Sequence, residues 1–230
     1  MKSLQKTILT GALFGVASTL SHAAVLYTYA GATIDEASTS LPSLGLSRTT
    51  TATGTLYFKY TVTNPASNSN TENYYAGMSF YESGNERLGV GNGWQPWAYS
   101  AFGPNGNFDL KSANPEPGGV YQLVRAADTI TIVFRVDYLS GSNDNITVWL
   151  NPDMGLTEAA QSSSLVTTFT ADATFNDIQI REGGGGSGWA YSNIAIAENS
   201  TDSGFFAAVP EPSSALLGAI GLLALLRRRR

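Results

Sequence analysis

Apolar and polar residues alternate along this chain with a period of two. Gly54–Thr63 (GTLYFKYTVT) sets Leu56, Phe58, Tyr60 and Val62 on one face, with Tyr57, Lys59, Thr61 and Thr63 on the other. Ile130–Leu139 (ITIVFRVDYL) sets Ile130, Ile132, Phe134, Val136 and Tyr138 against Thr131, Val133, Arg135, Asp137 and Leu139. Such patterning gives a strand one core-facing side and predicts β-structure. The turn-forming run Ser140–Asn145 followed by Ile146–Leu150 predicts a hairpin. Further strands are predicted at Ala24–Tyr29, Tyr74–Tyr81, Arg87–Val90, Val120–Arg125, Phe175–Arg181 and Trp189–Ala197. No window of the body carries an apolar period of 3.6 with caps, and the glycine run Gly183–Gly188 interrupts any element there. About ten short strands in one unit predict an all-β fold, an antiparallel β-sandwich of the jelly-roll type.

Two segments break the alternation. Lys2 and Lys6 precede a mostly apolar run, Ile8–Leu20, and small residues flank His22. This is the layout of a secretory signal peptide over residues 1–23, cut after Ala23 by signal peptidase. At the other end, residues 213–226 are uncharged and followed by Arg227, Arg228, Arg229 and Arg230. As a helix at about 1.5 Å per residue this segment falls short of the roughly 30 Å hydrocarbon core. The arginines stay cytoplasmic because lipid excludes them. The geometry suits a membrane stop held transiently and then cut. The expected layout is a signal helix at 1–23, a sandwich over 24–198, a linker over 199–208 and a sorting segment over 209–230. A chain with both end segments leaves the cytoplasm through the export machinery and crosses the inner membrane.

The order Pro210, Glu211, Pro212, apolar helix, arginine cluster resembles the PEP-CTERM sorting signal of Gram-negative bacteria. The resemblance implies recognition by the membrane enzyme exosortase, removal of the tail near Pro210–Pro212, and a body released or anchored outside the cell. The alternative is a plain C-terminal membrane anchor on a structural protein. A second resemblance rests on Leu123-Val124, Arg135–Tyr138, Gly141, Asn143–Asn145, Ile146–Pro152, Phe175–Ile178 and Asn193–Ile196. These runs look like the laminin-G and concanavalin A-like jelly rolls of exported proteins. In the closing strand, Ser192-Asn193 stands where an acidic pair is usual.

Charge and residue types narrow the chemistry. Over residues 24–209 there are seven Lys and Arg against seventeen Asp and Glu, a net charge of −10. Like charge repels nucleic acid and anionic lipid as partners. There is no cysteine, and the single histidine, His22, leaves with the signal peptide. Ser-His-Asp and Cys-His catalysis, His-ligated zinc and thiol redox chemistry are thereby excluded. Carboxylate, Tyr, Lys, Arg and calcium chemistry remain. The Glu-x-Asp-x-x-Glu string of jelly-roll glucanases is absent, so no enzyme is expected; a glycan-cleaving hydrolase or lyase is the alternative.

Asp144, in Asn143-Asp144-Asn145, and Asp153 are calcium candidates, although the same loop residues also make a tight hairpin. No other cofactor is expected. Trp94, Trp97 and Tyr99, in a glycine-rich stretch, are candidate glycan contacts, whereas Trp149 and Trp189 fit strand patterns and belong in a core. Arg135 and Asp137, two apart on one strand face, read as a polar pair on the outer sheet surface. The expected protein is an exported, exosortase-processed component of the cell surface, extracellular matrix or biofilm. Its domain is lectin-like and non-enzymatic, with extracellular polysaccharide as partner.

Overall fold

A computed structural model of the chain describes residues 25–35, 38–65, 75–92, 99–103, 106–110, 128–141, 143–163, 166–183 and 187–208. Twelve strands lie among them. They are β1 (Val25–Asp35), β2 (Ser38–Ser40), β3 (Gly54–Thr63), β4 (Tyr75–Glu82), β5 (Asn85–Asn92) and β6 (Tyr99–Gly103). β7 (Gly106–Asp109), β8 (Thr129–Tyr138), β9 (Asp144–Leu150), β10 (Val166–Ala171), β11 (Asp177–Gly183) and β12 (Ser187–Ala197) complete the set. They form two six-stranded antiparallel sheets, β1-β12-β3-β8-β9-β10 and β2-β11-β4-β5-β6-β7, stacked as a jelly-roll sandwich. The signal helix, the apolar helix 213–226 and the strand expected at Val120–Arg125 fall outside the described residues. Among the described residues no helix is long and apolar enough to cross a membrane.

The inner faces follow the alternation. Leu56, Phe58, Tyr60 and Val62 on β3 pair with Val136, Phe134, Ile132 and Ile130 on β8, and all are buried. Phe58 and Phe134 stack at 4.8 Å, and Phe80 and Phe175 from the facing layer close on Phe58 at 4.8 and 6.3 Å. Ring pairs at this spacing add to area burial.

Two local devices shape the first sheet. Gly31 on β1 sits at φ +120°, and a Cβ there would run into the Tyr191 carbonyl, so only glycine lets β1 lie against β12. Asn193 takes φ +54° as the extra residue of a bulge where β12 passes β3, between Ser192 and Ala195.

The centre of the first sheet is apolar on both sides. Its outward residues Tyr57, Val133, Trp149, Ala195 and Ala197 form a second buried cluster with Phe205 and Phe206. The stretch 199–208, expected as a linker, is therefore packed. It turns through a short 3₁₀ segment at Asp202–Gly204 and lays both rings on the sheet, because an exposed Trp149 and Val133 need cover. Each phenylalanine so buried contributes on the order of 2 kcal/mol. The folded body accordingly runs to Ala207 and not to residue 198.

The layers are also tied by tyrosines. Tyr60 on β3 donates to the Val90 carbonyl, and Tyr191 on β12 donates to the Arg181 carbonyl at 2.5 Å and the Gly77 carbonyl at 3.3 Å. Burial pushes Tyr60, Tyr75, Tyr99, Tyr138 and Tyr191 above the ordinary tyrosine range. The fold keeps these protons at a pH where the unfolded chain releases them. Their contribution is intact below about pH 10 and is lost as pH rises further. Alkaline titration should therefore give tyrosinate absorbance that appears together with loss of near-UV circular dichroism. Complete tyrosinate formation with the fold still intact would contradict this for the five buried rings.

Candidate functional site

The outward face of the first sheet carries a compact ion cluster beside its apolar centre. Arg135 on β8 lies opposite Tyr57 on β3 and Thr147 on β9, near the middle of that face. Its Nε donates to Asp137 Oδ2 at 3.0 Å, and Asp137 Oδ1 accepts from Thr55 at 2.8 Å. A 3₁₀ turn at Glu158–Ala160, in the segment after β9, brings Glu158 over the sheet. Glu158 accepts from the Arg135 guanidinium and, at 2.7 Å, from the Tyr57 hydroxyl. Burial opposes the charge on Arg135, but Glu158 and Asp137 outweigh it and hold the guanidinium above its ordinary value. Burial, with the Glu158 bond and charge, pushes Tyr57 up to about 12.

A cleft of about 480 Å³ opens beside this cluster, lined by Trp149, Thr157, Glu158, Gln161, Val166 and Ala207 among others. Trp149 lines it, edge-on to Phe206 at 5.2 Å, and among the described residues its indole N–H has no acceptor. Gln161 is consumed structurally: it accepts from the Asp153 amide at 3.0 Å and donates to the Asp153 carbonyl at 2.7 Å. A second cleft, of about 450 Å³, lies over the Asn193 bulge beside Lys59 and Thr28. A third, of about 410 Å³, lies at the β8–β9 hairpin end between Thr50, Gly141, Asn143, Asp144, Asp172 and Thr174.

The residues singled out from sequence are scattered. Asp144 and Asp153 stand at opposite ends of β9, about 20 Å apart at strand rise, so they cannot share one ion. Asp144 binds the Leu139 amide at 2.9 Å and the Ala173 amide at 3.0 Å; Asp153 caps the Gly155 amide at 2.8 Å. Burial raises the Asp144 carboxyl despite these amides, with the charge of Asp172 adding to it. Among the described residues no group of three or more acidic side chains is placed to hold a metal.

Tyr99, read as a glycan contact, is instead fully buried on β6, because Tyr99 and Ala101 take the inward positions there. Trp94 and Trp97 lie outside the described residues, as do Ala23, Pro210, Glu211, Pro212 and Arg227–Arg230. Trp189 is core as expected, whereas Trp149 is buried in the second cluster, on the outward face. The Arg135–Asp137 pair is present, but Glu158 was not foreseen. A lone glutamate in a loop carries no periodic signal, and Arg135 already had a partner in Asp137 on its own strand face.

Residues 208–230 match a family model described as the PEP-CTERM protein-sorting motif. The chain thus carries the signal of an exported protein that exosortase processes, with a membrane-associated C-terminal segment. No curated protein matches the chain. Among solved structures it is similar to a bifunctional GH43-CE protein of Bacteroides eggerthii, at 10% identity and a TM-score of 0.40 over 63% of this chain and 19% of that one. It is similar also to the catalytic domain of a glycoside hydrolase family 131 protein from Coprinopsis cinerea, at 13% identity and 0.37 over 65% and 58%. A third is the PL-14 alginate lyase from Aplysia kurodai, at 8% identity and 0.36 over 75% and 81%. The aligned region thus spans under two thirds of the first two proteins.

The ion cluster makes a stability prediction. Glu158→Ala leaves Arg135 with Asp137 alone and the Tyr57 hydroxyl without this acceptor, and should cost about 2 kcal/mol, while Glu158→Gln, which keeps an acceptor, should cost less. Denaturant unfolding of both variants checks the order, and a double-mutant cycle with Arg135→Met should return a coupling of about 1–2 kcal/mol.

Proposed function

We propose that this exported, exosortase-processed sandwich serves at the cell surface or in the extracellular polysaccharide matrix, as a lectin-like domain without catalytic activity. The observation that supports this reading is the state of the carboxylates in the clefts. Glu158 is held by Arg135 and Tyr57, and Asp144 by two backbone amides. Asp172 accepts from the Thr174 amide at 3.0 Å and hydroxyl at 2.6 Å and faces Arg87 at 3.4 Å. Acid–base cleavage of a glycosidic bond needs a carboxyl free to exchange a proton with substrate, paired with a second one across the bond. Carboxylates committed to amides and guanidinium groups are poor candidates for that work. Tyr57, at about 12, keeps its proton at neutral pH and makes a poor base.

Glycan contact falls in this reading to Trp94 and Trp97, whose rings can cover the apolar face of a sugar. The net charge of −10 over residues 24–209 favours a neutral polymer over an anionic one. Residues 24–208, incubated with polysaccharides from the producing cells, should release no new sugar ends and should be retained saturably. Trp94→Ala or Trp97→Ala should abolish retention. Product release that vanishes on one carboxylate substitution would establish a hydrolase or lyase instead, and absence of retention would leave a purely structural protein.

The sorting route has its own test. Intact mass of the protein recovered outside its native cells should lack residues 1–23 and those beyond about Pro212. A mass retaining Arg227–Arg230 would mean a plain anchor.

A further inference from the structure

The sorting motif begins at residue 208, and the residue before it is already part of the fold. The Ala207 amide donates to the Leu156 carbonyl at 2.9 Å, and Phe206 and Phe205 are 3% and 0% exposed against the first sheet. Lys59 donates to the Gly204 carbonyl at 3.2 Å and covers the Phe205 ring. No spare residue separates body from signal. At an extended rise of at most about 3.5 Å per residue, Pro210 lies within roughly 10 Å of Ala207 and Ser213, where the apolar run starts, within roughly 20 Å. Before cutting, a tail seated in the membrane would keep the sandwich within that reach of it. A membrane enzyme must take the chain around Pro210–Pro212 into its own active site within that gap.

We infer that the segment Asn199–Ala207 is a clasp that gates exosortase processing. Its bonds fit such a part. The Asp202 amide turns back to the Asn199 carbonyl and the Phe205 amide to the Asp202 carbonyl, and the clasp joins no sheet ladder. It can leave the body by withdrawing two rings and breaking the bonds at Gly204 and Ala207, without opening a strand. Release adds nine residues of tether, about 30 Å of reach, and processing proceeds from that open fraction. After the cut, Phe205 and Phe206 return and cover Trp149 and Val133 again. The inference rests on the sorting signal and not on any ligand of the domain.

The test is a pulse-chase of the full chain in its native cells, following loss of the tail by mass. The first variant inserts about ten Gly/Ser residues between Ala207 and Ala208, a reach of roughly 18 Å that leaves the clasp intact. The second is Phe206→Ala. Both should be processed faster than the parent, by on the order of tenfold, since the rate follows the competent fraction. The insertion should do so with an unchanged unfolding midpoint, which keeps the test valid if Phe206→Ala folds poorly. Processing of the insertion variant at the parental rate, or more slowly, would overturn the gate while leaving sorting intact. A parent and variants that all keep Arg227–Arg230 would overturn the sorting reading and the clasp with it.

Discussion

The structure depends on covering the outward face of its first sheet. A sandwich needs one apolar face per sheet, yet Tyr57, Val133, Trp149, Ala195 and Ala197 make the second face of this sheet apolar as well. Exposed, they would form a contiguous patch of the kind that invites association. Cover comes from two segments that are not strands. One follows β9 and carries Glu158; the other follows β12 and carries Phe205 and Phe206. The Ala207–Leu156 bond joins the two. Burying this face therefore brings Glu158 over Arg135, shapes the cleft beside Trp149, and brings the chain out next to the sorting signal.

The same constraint explains the charge arrangement. Half-buried between apolar neighbours, Arg135 would be costly alone, and Asp137 supplies one partner from its own strand. Glu158 supplies the second from the covering segment, and Tyr57 completes the carboxylate's bonding. Pairs in such surroundings contribute modestly to net stability but are expensive to break one side at a time. The cluster is thus better understood as a latch that fixes where the covering segment lies than as reacting groups.

Much of this was legible in the residues and some was not. β3 and β8 alternate so cleanly that the expected and observed spans agree to within a residue at each end. β1 runs on to Asp35 because Gly31 lets it stay beside β12, a tertiary close approach that no propensity encodes. The short strands β2, β6 and β7 carry Ser, Gly and Asn, so their pairing and not their composition makes them strands, whereas β10 (VTTFTA) has a strand's composition yet is not among the expected strands. The second core did leave a trace. Tyr57 and Val133 occupy positions of the alternation where polar residues belong, and Phe205-Phe206 is an apolar pair in a stretch otherwise resembling a tether. Two apolar residues out of phase on neighbouring strands, with an aromatic pair unaccounted for downstream, are together the signature of a covered outer face. Glu158 could not be placed in this way, since its partners lie 23 and 101 positions away.

An ordinary linker would separate the folding of the body from the handling of its tail, and this chain has packed that length instead. The apolar outer face needs Phe205 and Phe206, and the membrane address follows at once, so the same nine residues serve both stability and delivery. Stability asks that the clasp stay shut, while delivery asks that the chain near Pro210 be free to move. Elements that must move are drawn from the least cooperative parts of a fold. A segment outside the sheet ladders, docked by two rings and two hydrogen bonds, meets that description, and a thirteenth strand in the same place would not. The choice of a 3₁₀ turn with two aromatic anchors over a ladder-paired strand is what allows one stretch of chain to do both.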